Sequence, residues 1–186
     1  MKKLSMLTLM CTLFIGCATG EVKFTTDDFK GTTVAKMKLN HYTGACVLEA
    51  NYTRDFKSGN PDNIVIYGRF HTGTNSQDIK KDGFIKIGET IHKIILSDIS
   101  SEVQTWTDTS KVADAKEKDG FKKDKTVRSS KVYSATLTLP KEVEKDILSA
   151  DQLSLRVYFG SEDTTFVIKN EALAKVKGFI NAKPAL

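Results

Sequence analysis

The chain is short of the residue types that build metal and nucleophile sites. Histidine occurs only as His41, His71 and His92, and cysteine only as Cys11, Cys17 and Cys46. No histidine stands three or four positions from another histidine or from a cysteine, so no local zinc pattern exists. A Gly-x-Ser-x-Gly elbow, a phosphate loop, a dinucleotide fingerprint, a Cys-x-x-Cys pair and a His-Glu-x-x-His helix are all missing. No cofactor is expected, and an enzyme is not the first expectation. Charge of one sign is lacking too. The 28 basic and 23 acidic residues leave a net charge of +5, and they alternate rather than cluster, which argues against a nucleic-acid partner. Nor is there a bilayer-length apolar run. Residues 4–16 are uncharged and apolar, but a spanning helix needs about 20 such residues.

That short run has a different use at its position. Lys2 and Lys3 precede it, and the small residue Gly16 closes it, so all three parts of a secretory signal are present. Ile15-Gly16-Cys17 then resembles the lipobox of bacterial lipoprotein precursors. Phe14 stands where leucine is usual, with Leu13 one step back, a relaxed form familiar among spirochaete lipoproteins. The resemblance implies cleavage before Cys17, a diacylglycerol thioether on its sulfur and an acylated amine. It divides the chain into a signal peptide at 1–16, a lipidated tether at 17–21 and one domain at 22–183. Each buried methylene of such an anchor contributes about 0.8 kcal/mol, so two or three chains hold firmly. The expected address is the cell envelope, lipid-anchored in the outer membrane and facing the periplasm or the surface. Ala18, with no acid after the cysteine, points to the outer membrane by analogy with enteric sorting. With Cys11 removed and Cys17 acylated, Cys46 has no disulfide partner. Its apolar setting, Ala45-Cys46-Val47-Leu48, predicts a buried, inert thiol.

Period-two alternation dominates the remainder. It runs through 33–41, 47–54, 63–70 and 153–159, with Leu153, Leu155, Val157 and Phe159 opposing Ser154, Arg156 and Tyr158 in the last. Such alternation marks strands with one buried and one wet face. Two stretches break it. Pro140 opens a segment in which Val143 and Ile147 share a stripe, and in the segment from Asn170 onward Leu173, Val176 and Ile180 do. These predict short helices at about 140–149 and 170–181, with Asn170 as a cap. Residues 58–63 read as a loop, and Asp82-Gly83, Asp119-Gly120 and Glu162-Asp163 as turns. The charge-rich stretch 111–125 reads as an exposed, mobile loop. The expected fold class is mainly β, sandwich-like, with antiparallel sheets packed face to face and one or two short helices.

Candidate chemistry is sparse. The three histidines read as strand-end or half-buried residues, unless tertiary folding gathers them. Asp27-Asp28 on a strand would point to opposite faces, which gives no acid pair. Asn51-Tyr52-Thr53 matches a glycosylation acceptor that a bacterial lipoprotein seldom uses. Trp106, the single tryptophan, and Tyr158 are the candidate ligand-face residues; Tyr52 and Tyr67 could join them, or all could serve cross-strand packing. The phrases DDFKGTTVAKMK, TLTLPKEVEKDIL and LSLRVYFGSEDTTFVIKNEALAKVKGFI resemble small mainly-β bacterial lipoproteins without assigned activity. That resemblance implies a sandwich-like body, a glycine turn after the Leu-x-Leu-Arg-Val strand and a closing helix, and carries over no catalytic residue. The expected function is a lipid-anchored binding or interaction module. Its partners are the membrane, through the N-terminal lipid, and a protein or envelope component. The alternatives are an envelope hydrolase with acids and histidines from separate loops, and a structural envelope protein.

Overall fold

The computed structural model describes residues 20–27, 29–44, 46–113 and 121–184. The signal segment, Cys11, Cys17, Asp28 and Asp119-Gly120 lie outside the described residues. Ten strands and two helices follow in order: β1 (Lys23–Asp27), β2 (Thr32–Thr43), β3 (Cys46–Lys57), β4 (Asn60–Pro61), β5 (Ile64–Thr72), β6 (Asp82–Ile87), β7 (Thr90–Ala113), β8 (Phe121–Leu139), α1 (Lys141–Ser149), β9 (Gln152–Phe159), β10 (Glu162–Lys169) and α2 (Asn170–Asn181). The protein is mainly β with two short helices, as the alternation predicts.

All ladders are antiparallel and form one continuous sheet in the order β1-β2-β3-β5-β8-β7-β6-β9-β10, with β4 on β3. The two facing layers are halves of this sheet, joined by β7. Residues 90–95 of β7 pair with β6, and from Leu96 onward it pairs with β8. The hand-over is marked by a bulge between Ser97 and Ser100, with Asp98 at φ 49°. A bulge bends and twists its strand, so β7 serves as the corner. The sheet curls until β10 comes against β2, but it is not a closed barrel.

Inside the curl, rings cross between the halves. Phe70 of β5 meets Phe159 of β9 and Phe166 of β10 at centroid distances of 6.2 and 6.1 Å. Tyr133 of β8 meets Phe159 at 5.3 Å. The inward residues of β3 alternate without a break through Cys46, Leu48, Ala50, Tyr52, Arg54 and Phe56, all buried. Val143 and Ile147 of α1, with Leu173, Val176, Phe179 and Ile180 of α2, complete the core. The residual void inside, about 30 Å³, is apolar and too small for a ligand.

Arg54 is the charged member of that inward row. It donates through Nη1 to the Ile180 carbonyl at 2.8 Å and through Nη2 to the Glu144 carboxylate, and both charged side chains are buried. One side chain therefore ties β3 to both helices. It also places a cation at the C-terminal end of α2, whose last turn has no basic residue of its own.

Several local expectations are corrected. The stretch 111–125 is not a plain loop: its described parts continue β7 and β8, which pair from Ala113↔Phe121 onward. Threonine and alternation in the flanking residues carry the ladder past the charges. Asp82-Gly83 opens β6 instead of turning. A Cβ at Gly83 would lie 2.9 Å from the Arg156 carbonyl oxygen, so glycine there serves close strand approach. Glu162-Asp163 begins β10, and the turn before it is Gly160-Ser161. Within 58–63, Ser58-Gly59, with φ of 50° and 78°, and Asp62-Asn63 are loop, while Asn60–Pro61 form β4 and pair back onto β3. Asn170 is not the cap of α2 but its first residue, at φ 52°; Lys169 holds the cap position and makes no side-chain cap hydrogen bond.

Glu144→Ala would leave the Arg54 guanidinium buried without its carboxylate. It should cost about 3–5 kcal/mol in unfolding free energy from urea titration, and the double replacement Arg54→Met with Glu144→Leu should recover most of that loss.

Candidate functional site

The outer face of the first half-sheet carries the polar members of each alternating strand. Ladder register places Tyr42, Val47, His71, Val132 and Glu102 in one row across β2, β3, β5, β8 and β7. Beyond that row β5 ends, and β7 and β8 continue as a two-stranded ribbon through the pairs from Gln104↔Ser130 to Ala113↔Phe121. Trp106 stands on this ribbon opposite Arg128, on the same face as Gln104 and Glu102.

An open depression of about 480 Å³ lies at the ribbon's base. It is lined by Asn40 and Tyr42 of β2, Val47 and Glu49 of β3, His71 and Thr72 of β5, Gly73, Ser130 of β8 and Trp106 of β7. Its volume falls in the range of small-molecule sites, roughly 300–1,000 Å³. Trp106 is 45% exposed and Tyr42 68%, so both rings reach solvent while their neighbours form the floor.

The electrostatics are closed locally. Glu49 has Lys38 Nζ at 3.2 Å and His71 Nε2 at 3.3 Å. Partial burial pushes its carboxyl up. The Lys38 hydrogen bond and charge, with His71 and Arg69 behind them, outweigh that and hold it below the ordinary glutamate value. Arg69 Nη2 and Gln104 Nε2 both donate to Glu102 Oε1, at 3.0 and 2.8 Å. This bridge passes over β8 near Val132, which is fully buried although it belongs to the outer face. Asp108 Oδ2 holds Arg128 Nε at 2.9 Å beside Trp106. Asn40 Oδ1 has no hydrogen-bond partner.

The sequence-derived candidates are not gathered. Tyr158 lines a separate depression of about 460 Å³ with Phe84, Lys86, Ile91, Ser154, Arg156 and Thr165. It packs edge-on to Phe84 at 6.2 Å, a cross-strand ring contact. Tyr52 is buried against Phe179, and Tyr67 stands half-exposed on β5 away from the groove. The histidines also go three ways. His71 enters the Trp106 groove, and His92 lies 3.0 Å from Asp146 of α1. His41 is buried on the inward side of β2, 3.2 Å from the Tyr52 hydroxyl. Among the described residues no three metal-ligating side chains come together. Cys46 is a buried free thiol, and burial pushes it up to about 12. Tyr42 and Glu49 were missed as site residues. Their legible signal was parity: each falls on the wet side of its strand at the end nearest the ribbon.

No protein-family model, no curated protein and no solved structure matches the chain.

Burial pushes His41 down from 6.5 to about 4. The fold therefore holds the ring neutral, while the unfolded chain protonates it near its ordinary value. The resulting stability is complete above about pH 6.5 and is lost as the pH falls towards 4, by roughly 3 kcal/mol in all. Urea midpoints measured between about pH 7 and pH 5 should fall accordingly, and His41→Gln should flatten that part of the slope.

Proposed function

We propose that this chain is an exported, lipid-anchored envelope protein that works as a binding module, with the Trp106 groove as its binding surface. The observation that carries the reading is the groove: two solvent-reaching rings stand over a hydrogen-bonding floor of closed charge. Pockets that bind small groups combine a few aromatic anchors with a few placed polar atoms.

The anchor reading draws on the signal-like segment, on Ile15-Gly16-Cys17, and on where Gly20 lies in the fold. Gly20 N–H donates to the Lys38 carbonyl on the edge of β2 at 2.8 Å. Gly20 sits at φ 93°, a backbone that residues with a side chain rarely adopt, and a Cβ there would displace the flexible end of the Lys175 side chain of α2. Cys17 stands three positions before Gly20, a reach of at most roughly 11 Å. Lys38, Asn40 and Tyr42 alternate along the same strand, so the groove begins beside the tether. An acylated Cys17 would hold the groove close to the bilayer, within reach of envelope material. A deep pocket with two facing carboxyls, or convergence of His41, His71 and His92, would favour the hydrolase alternative, and the histidines lie at three places.

Mass spectrometry of the native protein should find Cys17 as its first residue, carrying thioether-linked and amide-linked acyl groups. Capture from envelope extracts by the detergent-solubilised protein should fall about tenfold in Trp106→Ala, with the unfolding midpoint unchanged. A soluble native product with its leading methionine would overturn the anchor. Capture indifferent to Trp106 would overturn the groove.

A further inference from the structure

We propose that the Trp106 groove recognises a neutral, polyhydroxylated group, a sugar unit carried by an envelope glycan or a glycolipid headgroup. The inference rests on the groove being the binding surface and names the chemistry it selects. Three observations converge on it.

The first is the shape of the apolar surface. Trp106 and Tyr42 expose ring surface to solvent, and Val47 is the single aliphatic side chain lining the groove. An acyl chain or an apolar peptide segment would need a broader greasy floor, such as Phe84 and Ile91 supply in the other depression. A pyranose has what these rings fit: a patch of axial C–H bonds on one face and hydroxyls around the rim. Tyrosine and tryptophan supply such contact area at low conformational cost.

The second is charge. Glu49 is the one carboxylate in the lining, and Lys38 and His71 already hold it. A cationic ligand would have to compete with Lys38 for that carboxylate, and an anionic one would face it. Neither sign gains, and a neutral ligand loses nothing.

The third is the supply of hydrogen-bonding groups. Asn40, His71, Thr72 and Ser130 line the groove with polar side chains. Polar groups beside exposed rings suit hydroxyls, each of which both donates and accepts.

Trp106 is the only tryptophan, so its emission reports the site directly. The acylated protein in phosphatidylglycerol vesicles is titrated with free lactose and N,N′-diacetylchitobiose, and separately placed in vesicles containing a glycosyl diacylglycerol. A saturable change in emission is expected from at least one sugar probe, with about tenfold weaker binding in Tyr42→Ala. Response to the free sugars alone identifies a glycan source, and response to the glycolipid vesicles alone a headgroup. Tetramethylammonium and acetate should give no saturable change. Saturation by either ion, or by no sugar probe up to about 10 mM, would overturn the sugar assignment. If envelope capture still depends on Trp106 in that case, the binding-module reading stands and only its ligand class falls. If that dependence is also absent, both fall.

Discussion

A buried arginine on a β-strand dictates how this fold is closed. Arg54 occupies an inward position in a row that is otherwise apolar or aromatic, so its charge must be met inside. Glu144 meets it from α1, and the Ile180 carbonyl meets it from the end of α2. Lys141 stands over the same carboxylate at 3.3 Å and donates to the Asp62 carbonyl at 2.8 Å, which extends the network to the β4 turn. Apolar packing alone would let two short helices slide over the core. Hydrogen bonds from a planar guanidinium do not. With both helices spent on closing the curl, the outer face of the half-sheet from β2 to β8 stays uncovered, and the groove lies there.

Much of this architecture was legible as alternation. The inward rows of β2, β3, β5 and β9 follow period two, and the stripe Leu173, Val176 and Ile180 marked the last helix, since burial on one side is what those periods record. Cys46 was legible for the same reason. Arg54 could have been read too, because it shares parity with Tyr52 and Phe56. What failed was reading the whole charged stretch 111–125 as a loop and Asp82-Gly83 as a turn. The described parts of 111–125 form a ladder because backbone pairing with the opposite strand does not require an apolar side chain. Gly83 is a strand residue because a neighbouring backbone, over 70 positions away in sequence, leaves no space for a Cβ.

The candidate site was less legible, and for a different reason. Parity shows that Tyr42, Glu49 and His71 are wet, but it does not show that they are neighbours. Their meeting depends on the strand order β2-β3-β5-β8-β7, and in particular on β8 returning to the sheet between β5 and β7. Tyr52 illustrates the converse. Its ring looked available for a ligand face, but its side of β3 turns inward, where it meets Phe179 and the neutral ring of His41. Trp106 reached the groove because the ribbon carries it past the last residue of β5.

That ribbon explains why the groove sits where it does. A two-stranded ribbon is marginal in water when nothing packs on it, and among the described residues β7 with β8 runs without a third strand from Gln104↔Ser130 outward. Its base is held where Arg69 crosses β8 to Glu102, and where Lys131 reaches the Asp78 carboxylate at 3.0 Å. The groove straddles this boundary. Tyr42, Val47 and Glu49 belong to the rigid body, while Trp106 belongs to the first free turn of the ladder. A ligand filling the groove must touch both, so it would add to the contacts that hold the ribbon against the sheet. By linkage, whatever fixes the ribbon also strengthens the groove. The two-stranded ribbon and two solvent-reaching rings are thus parts of one device, and on the proposed anchor an acylated Cys17 would set that device beside the surface that holds it.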